Sequence, residues 1–214
     1  MNLEQARNNM VEQQIRTWEV LDQDVLDLLF TVRREDFVPA EHRALAFADL
    51  EIPLPNGYRM WTPKMEARVL QDLRLAPHER VLEIGTGSGY FTALLARSAA
   101  AVRSVEIDAA TAGRARAHLA DFGNVEVVVG DGARGFGDDI WDAIVLTGST
   151  PVLSERFFEQ LRPGGRVFAV VGEKPAMKAR LTQWNGPAAR VPRDLFETVI
   201  LPLRNAPQPA RFVF

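Results

Sequence analysis

From Arg80 onward the chain alternates short Val/Ile-rich runs with helix-forming segments, and this rhythm restricts it to few architectures. RVLEIG leads into a helix from about Ser88, VRSVEI into one from about Ala109, VEVVVG into a short loop, and WDAIVLTG into a helix from about Leu153. RVFAVVG follows the Pro-Gly-Gly turn at Pro163 to Gly165. Strands covered on both faces read as near-continuous apolar runs, so the pattern predicts an α/β fold built on a mostly parallel sheet. The tail breaks the rhythm: KARLTQW and ETVILPL are separated only by loop residues, which predicts an antiparallel pair at the sheet edge.

Upstream the chain is helical and irregular. Apolar residues recur at helical intervals from Leu3 to Trp18, and Asp22 is placed to cap a second helix through Val25, Leu28, Leu29 and Val32. EIPLPNGYRMWTP, residues 51–63, carries three prolines, an Asn-Gly turn signal and two large aromatics, the composition of an irregular segment that still buries side chains. Thr62-Pro63 reads as cap plus first-turn proline for a helix through Met65, Val69, Leu70 and Leu73. With 214 residues, 47% of them apolar, the expectation is one domain over 1–214, in which 1–60 form a helical and loop extension.

Composition removes several functions. A net charge of −3 without clustered Lys and Arg disfavours nucleic acid as a partner. The absence of cysteine excludes disulfides, thiolate metal sites and a cysteine nucleophile. His42, His78 and His118 lie far apart in sequence among charged or small residues, so structural or surface roles and no metal site are expected. Neither a leader pattern nor a long apolar run is present, so a soluble, cytoplasmic protein with no membrane partner is expected.

The chemistry concentrates at the turn in VLEIGTGSGYFTALLA, where Gly85, Gly87 and Gly89, with Thr86 between them, follow the first strand of the sheet. In such folds the first strand-to-helix turn is the usual nucleotide site. A dinucleotide fingerprint needs glycine where Tyr90 stands, and no Lys-Ser/Thr pair follows to make a phosphate-binding loop, so a single nucleoside is favoured. Glu106, followed by Ile107, ends the next strand roughly twenty residues on, where a carboxylate accepts from ribose hydroxyls. Asp131 is placed to accept from an adenine amino group, Gly132 leaves room for the base, and Glu83 is placed to hold a cationic amino group. Together these imply an adenosine-bearing, cationic cofactor, S-adenosylmethionine. Asp131 has a plainer alternative as a turn stabiliser, Glu106 as a solvated strand-end acid, and Trp141 and Phe136 read as core packing.

LPNG…TPKM, RVLEIGTGSGYFTALLA, VEI, NVEVVVGDGARG, WDAIVLTGSTP, LRPGGR and FETVILPL, spread over residues 5–203, resemble protein-L-isoaspartate O-methyltransferase. The resemblance implies a Rossmann-like class I methyltransferase fold with a seven-stranded sheet. It also implies methyl transfer from S-adenosylmethionine to isoaspartyl carboxylates, the first step in repairing damaged proteins. Glu83, Gly85, Gly87, Glu106, Asp131 and Gly132 match the family's cofactor motifs, and Thr147 to Pro151 its substrate-side strand end. The chain departs from the family at YRMWTPKM, where the family's serine, two residues before the proline, is replaced by Trp61. Thr62 offers a hydroxyl one residue out of register, and Ser149 and Thr150 are placed at the same mouth, so Trp61, Thr62, Ser149 and Thr150 are the acceptor-side candidates. Trp61 reads equally as a plug between loop and core. Arg59 and Lys64 flank it and are candidates to attract an anion. Three alternatives stay open: the same fold acting on a different, unidentified small molecule, a cofactor-binding module without catalysis, and a nicotinamide oxidoreductase.

Overall fold

The computed structural model describes residues 2–186 and 189–210. Asn2 caps α1 (Leu3–Met10), and the helical path continues through a π turn at Val11–Ile15 and a 3-10 turn at Arg16–Trp18. The helix expected from Leu3 to Trp18 is therefore one path whose pitch changes twice, closed by Glu19 in the left-handed region at φ 62°. Asp22 caps α2 (Gln23–Thr31), its carboxylate accepting from the amides of Asp24 and Val25. β1 (Ile52–Pro53) and β2 (Arg59–Met60) then form a small hairpin around the Asn56-Gly57 turn. α3 (Pro63–Leu73) starts as its sequence indicates, with Thr62 Oγ1 accepting from the Met65 amide at 3.4 Å.

Seven further strands make the main sheet: β3 (Arg80–Ile84), β4 (Ala101–Glu106), β5 (Val125–Val129), β6 (Trp141–Leu146), β7 (Leu161–Glu173), β8 (Ala176–Trp184) and β9 (Arg190–Glu197). Their order is β5-β4-β3-β6-β7-β8-β9, parallel from β5 to β7 and antiparallel from β7 to β9. Between the parallel strands run α4 (Tyr90–Ser98), α5 (Ala109–His118) and α6 (Glu155–Glu159). Alternate residues of β3 and β6 enter opposite cores. Val81, Ala143 and Val145 pack with α3, α4 and the N-terminal helices, while Leu82, Ile84, Ile144 and Leu146 pack with Trp141, Phe157 and Phe158.

The tail corrects one expectation. The antiparallel partner of β8 is Arg190–Glu197, not ETVILPL, which contributes only its first residue to the strand. The apolar run that follows leaves the sheet and crosses the end of β6, where the Ser149 amide donates to Leu201 and the Leu203 amide to Ser149. Ile200 is buried by that route, so the run's hydrophobicity is satisfied by capping the sheet and not by extending it. The Pro-Gly-Gly stretch also differs. It is a bulge inside β7, where Leu161 pairs with Trp141 and Arg166 with Ala143.

Polar side chains hold the N-terminal extension to this body. Arg34, 1% exposed, donates to Glu66 Oε2 at 3.1 Å, to the Trp61 carbonyl at 2.6 Å and to the Ala46 carbonyl at 3.4 Å, and its guanidinium lies over the Tyr90 ring. Glu35, equally buried, is bound by Arg7 from α1. Breaking a buried pair on one side strands the other charge, so Arg34→Met is expected to lose ~3–5 kcal/mol in urea unfolding. Arg34→Met/Glu66→Leu should recover part of that loss. An Arg34→Met midpoint equal to that of the parent would show that the network contributes nothing.

Candidate active site

β4 and β6 flank β3 on opposite sides, so the sheet reverses its winding there and a crevice opens beyond the carboxyl ends of the strands. The cleft at this point is lined by Glu83, Gly85, Thr86, Gly87, Glu106, Ile107, Asp131 and Gly132, with Thr147 and Gly148 from the end of β6. Four strands thus deliver to one place the residues picked out from sequence.

Two glycines show why this turn admits no side chain. Gly85 has φ 100°, and a Cβ there would sit 2.2 Å from Thr147 Oγ1, which donates to the Gly85 carbonyl at 2.6 Å. At Gly132 a Cβ would fall 2.7 Å from Ile84 Cδ1. Gly89 is different, because it does not line the cleft. It begins α4 at φ 86° and packs against Leu119 of the segment after α5, so its place in the cofactor set is corrected to one of backbone turning and packing.

Glu106 ties the turn to the neighbouring strand: Oε2 accepts from the Gly87 amide and Oε1 from the Asp108 amide, each at 3.0 Å. Both oxygens keep lone pairs for further donors. Asp131 stabilises its own turn through the Ala133 amide and also accepts from Asn205 Nδ2 at 2.8 Å. Asn205 carried no signal in the sequence, since only its distant segment's path, at φ 61°, brings it here.

Glu83 is wholly buried and faces α4. Oε2 accepts from Thr92 Oγ1 at 2.5 Å and Ser104 Oγ at 2.6 Å, and Ser104 Oγ is 2.6 Å from Thr86 Oγ1. Oε1 is buried with no protein partner among the described residues. Burial pushes the carboxyl up to about 8, the hydrogen bonds from Ser104 and Thr92 oppose that rise, and the Glu106 charge adds to it.

The acceptor side is built from the 54–61 hairpin. Trp61 is 6% exposed and forms part of the wall, its indole 5.2 Å from the Phe91 ring and 5.9 Å from Phe168. Both readings of Trp61 meet here, because the ring that walls the cleft is also fixed in the core. The remaining candidates are corrected. Thr62 does not line the cleft, and its hydroxyl oxygen caps α3. Ser149 is buried and donates to the Ile200 carbonyl at 3.3 Å, and Thr150 donates to Val152 at 2.6 Å. Neither reaches the mouth, because the crossing C-terminal segment covers that strand end. Lys64 turns away to Asp49 at 2.7 Å, whereas Arg59 does line the cleft. The sequence reading missed Tyr58 and Arg204, which meet there from segments far apart in the chain. Among the described residues no cluster of His, Cys, Asp or Glu has metal-ligand geometry, and no helix is long and apolar enough to cross a membrane.

Known proteins place this cleft in context. A protein from Methanoculleus marisnigri named protein-L-isoaspartate O-methyltransferase is 42% identical over 171 residues, 78% of each chain. One of the same name from Methylorubrum populi is 38% identical over 201 residues, 92% of this chain and 94% of the other. A Plasmodium falciparum crystal structure described as a protein-L-isoaspartate O-methyltransferase, in complex with S-adenosyl-L-homocysteine, shares the fold at a TM-score of 0.80 and 17% identity, covering 95% of this chain and 98% of that one. Another solved protein-L-isoaspartate O-methyltransferase gives a TM-score of 0.78 at 25% identity, over 94% of this chain and 65% of that one. The model of one family spans residues 5–206, and the chain belongs to that family, the protein-L-isoaspartate(D-aspartate) O-methyltransferases.

Proposed function

We propose that this protein methylates the carboxylates of isoaspartyl residues in proteins or peptides, using S-adenosylmethionine. One observation supports the reading most directly: a glycine turn with no space for a Cβ, two strand-end carboxylates and a buried carboxyl with an unused oxygen all border one cleft. These features fit the cofactor. Glu106 suits the ribose hydroxyls, Asp131 and Gly132 the adenine, the turn at Gly85 and Gly87 the close approach of the ligand to the backbone, and Glu83 Oε1 the ammonium group. When bound, S-adenosylmethionine supplies a methyl group already activated by a positively charged sulfur, and a carboxylate is nucleophilic enough at neutral pH to accept it without a general base. The chain's own work is therefore to bind, align and exclude water. Trp61, Phe91 and Met60 give the cleft a dry wall, and the hydroxyls of Thr147, Tyr58, Ser149 and Thr150 are consumed in bonds to backbone carbonyls.

The same consumption of hydroxyls supports a second reading, in which fold and cofactor are shared but the acceptor is a small molecule resting against the Trp61 indole. A synthetic isoaspartyl peptide and its aspartyl twin, assayed with labelled S-adenosylmethionine, separate the two. Selective labelling of the isoaspartyl peptide is the expected result. No labelling by protein that binds S-adenosylhomocysteine, with transfer gained in Trp61→Ser, would favour the second reading.

Glu106→Ala removes a charged acceptor and loosens Gly87. A loss of about 10- to 100-fold in S-adenosylhomocysteine affinity is expected by calorimetry, as for ~1.5–3 kcal/mol of charged hydrogen bonding.

At pH 7 the raised Glu83 carboxyl is largely protonated, and an ammonium group beside it favours the ionised form. Binding of S-adenosylhomocysteine is therefore expected to release a proton at pH 7 and to tighten about tenfold between pH ~6 and ~8. Calorimetry in buffers of different ionisation enthalpy reads this directly, and Glu83→Gln should show no release. The sign for stability is opposite: the folded state holds the proton more tightly than a carboxyl at 4.5, so the cofactor-free protein should lose stability as pH rises from there to about 8. A pH-independent affinity would remove Glu83 from the ammonium site.

A further inference from the structure

Two cations border the open end of the cleft with no ion pair to a carboxylate among the described residues. Arg59 is exposed on β2, one residue before buried Met60, and forms no ion pair among the described residues. Arg204 comes from the C-terminal segment. Its guanidinium lies 5.4 Å from the Tyr58 ring centroid, and it donates to the Asn56 carbonyl at 3.5 Å. Tyr58 in turn donates to the Pro202 carbonyl at 3.3 Å, so hairpin and C-terminal segment hold each other across the mouth. Arg204 likewise makes no ion pair among the described residues, although Asp108 lies within range of its charge.

Several other polar groups around the cleft are engaged, whereas Ser88, on the glycine turn, accepts from the Tyr90 amide and keeps its O–H. The Thr147 hydroxyl donates to the Ile84 and Gly85 carbonyls, those of Ser149 and Thr150 donate to the Ile200 and Val152 carbonyls, and Thr62 lies outside the cleft lining. Of the lining acids, Glu66 faces Arg34, Glu106 holds two amides, and Asp131 holds an amide and Asn205. Glu51, near Arg59, is half-buried and has no side-chain hydrogen bond among the described residues, and burial raises its carboxyl against the pull of Arg59 and Lys174. An anion entering over the apolar wall of Trp61 therefore meets two guanidinium groups, while the lining hydroxyls of Thr147 and Tyr58 already donate to backbone carbonyls. Charge-assisted bonds from a guanidinium to a carboxylate are roughly twice as strong as neutral ones, and the planar fork of donors matches the two carboxylate oxygens.

We propose that Arg59 and Arg204 bind the acceptor's carboxylate in place of a hydroxyl, and that the protein consequently selects acidic peptide segments. One carboxylate neutralises one cation, and the other draws a flanking Asp or Glu. This inference rests on the isoaspartyl reading for the identity of the acceptor, but its recognition step is measurable without turnover.

The test titrates two isoaspartyl peptides, one flanked by Glu and one by Lys, into the protein saturated with S-adenosylhomocysteine. The Glu-flanked peptide is expected to bind about tenfold tighter at low salt, and the gap should narrow as salt screens the exposed charges. Arg59→Gln/Arg204→Gln should weaken its binding about tenfold and erase the preference, and Arg59→Lys/Arg204→Lys should restore most of the preference. In the transfer assay the Gln pair should raise KM and leave kcat within about twofold. Both arginines are exposed, so the variants should fold, and unchanged thermal midpoints would verify that. Equal affinity for the two peptides, binding of neither, or full affinity in the Gln variant would each overturn the inference. Arginine-dependent binding without methyl transfer would instead uphold it and overturn the isoaspartyl reading, whereas transfer indifferent to both arginines would do the reverse.

Discussion

A guanidinium sealed from water must find its partners inside the fold, and the partners of Arg34 set the position of the acceptor wall. Its donors reach the Glu66 carboxylate on α3, the Ala46 carbonyl in the extension and the Trp61 carbonyl at the edge of the cleft. Fixing the Trp61 backbone fixes the indole, which Phe91 of α4 and Phe168 of β7 grip from the other side. Burial drives the Glu66 carboxyl pKa up and Arg34 opposes it, so the pair is held together by a shared need to avoid an isolated buried charge. The N-terminal extension therefore contributes to the site without touching a ligand: remove Arg34, and the loop that carries Arg59, Met60 and Trp61 loses its only buried guanidinium anchor among the described residues.

A second polar patch underlies the cofactor side, and it works by incompleteness. Glu83 lies where the pleat turns it toward α4, on the same face as Val81 and Ser104, and two hydroxyls engage only one of its oxygens. Leaving a buried acceptor unmatched costs on the order of 1–3 kcal/mol, so such a group is retained where something else rewards it. A cationic ligand group would do so, because it provides both a donor and a compensating charge. The carboxyl raised by burial is the electrostatic form of the same condition.

What could be read from sequence follows from range. Strand runs, caps at Asp22 and Thr62, and the glycine turn are local, and the sheet then assembles them by a winding rule that places strand ends together. That Glu106, Asp131 and Gly132 would border one cleft was legible for that reason. Most of the errors involve segments whose partners are distant. VILPL has the composition of a strand, but it is buried by crossing β6, and that crossing is what hides Ser149 and Thr150. Thr62 was legible as a cap, and the same bond that confirms the cap removes its hydroxyl from the cleft. Asn205 and Arg204 reach the site from the far end of the chain, with a left-handed residue at 205 that no nearby motif announced.

The two halves of the cleft thus depend on different parts of the molecule. The cofactor half is made by strand ends, where a shift of one residue disturbs the hydrogen-bond ladder on both sides of β3. The acceptor half is made by a two-strand hairpin and a C-terminal segment, joined by Tyr58, Pro202, Asn56 and Arg204. Few backbone bonds of the main sheet pass through that second half, so its surface side chains are free to change while the cofactor turn stays intact. Trp61 shows the limit of that freedom. Its ring is part of the core as well as the wall, and exchanging it for a small hydroxyl residue removes aromatic packing worth ~0.5–1.5 kcal/mol per ring pair beyond area burial. Recognition by Arg59 and Arg204, at the rim, carries no such cost. A chain with a packed indole in its acceptor wall has physical reason to place its anion contacts there.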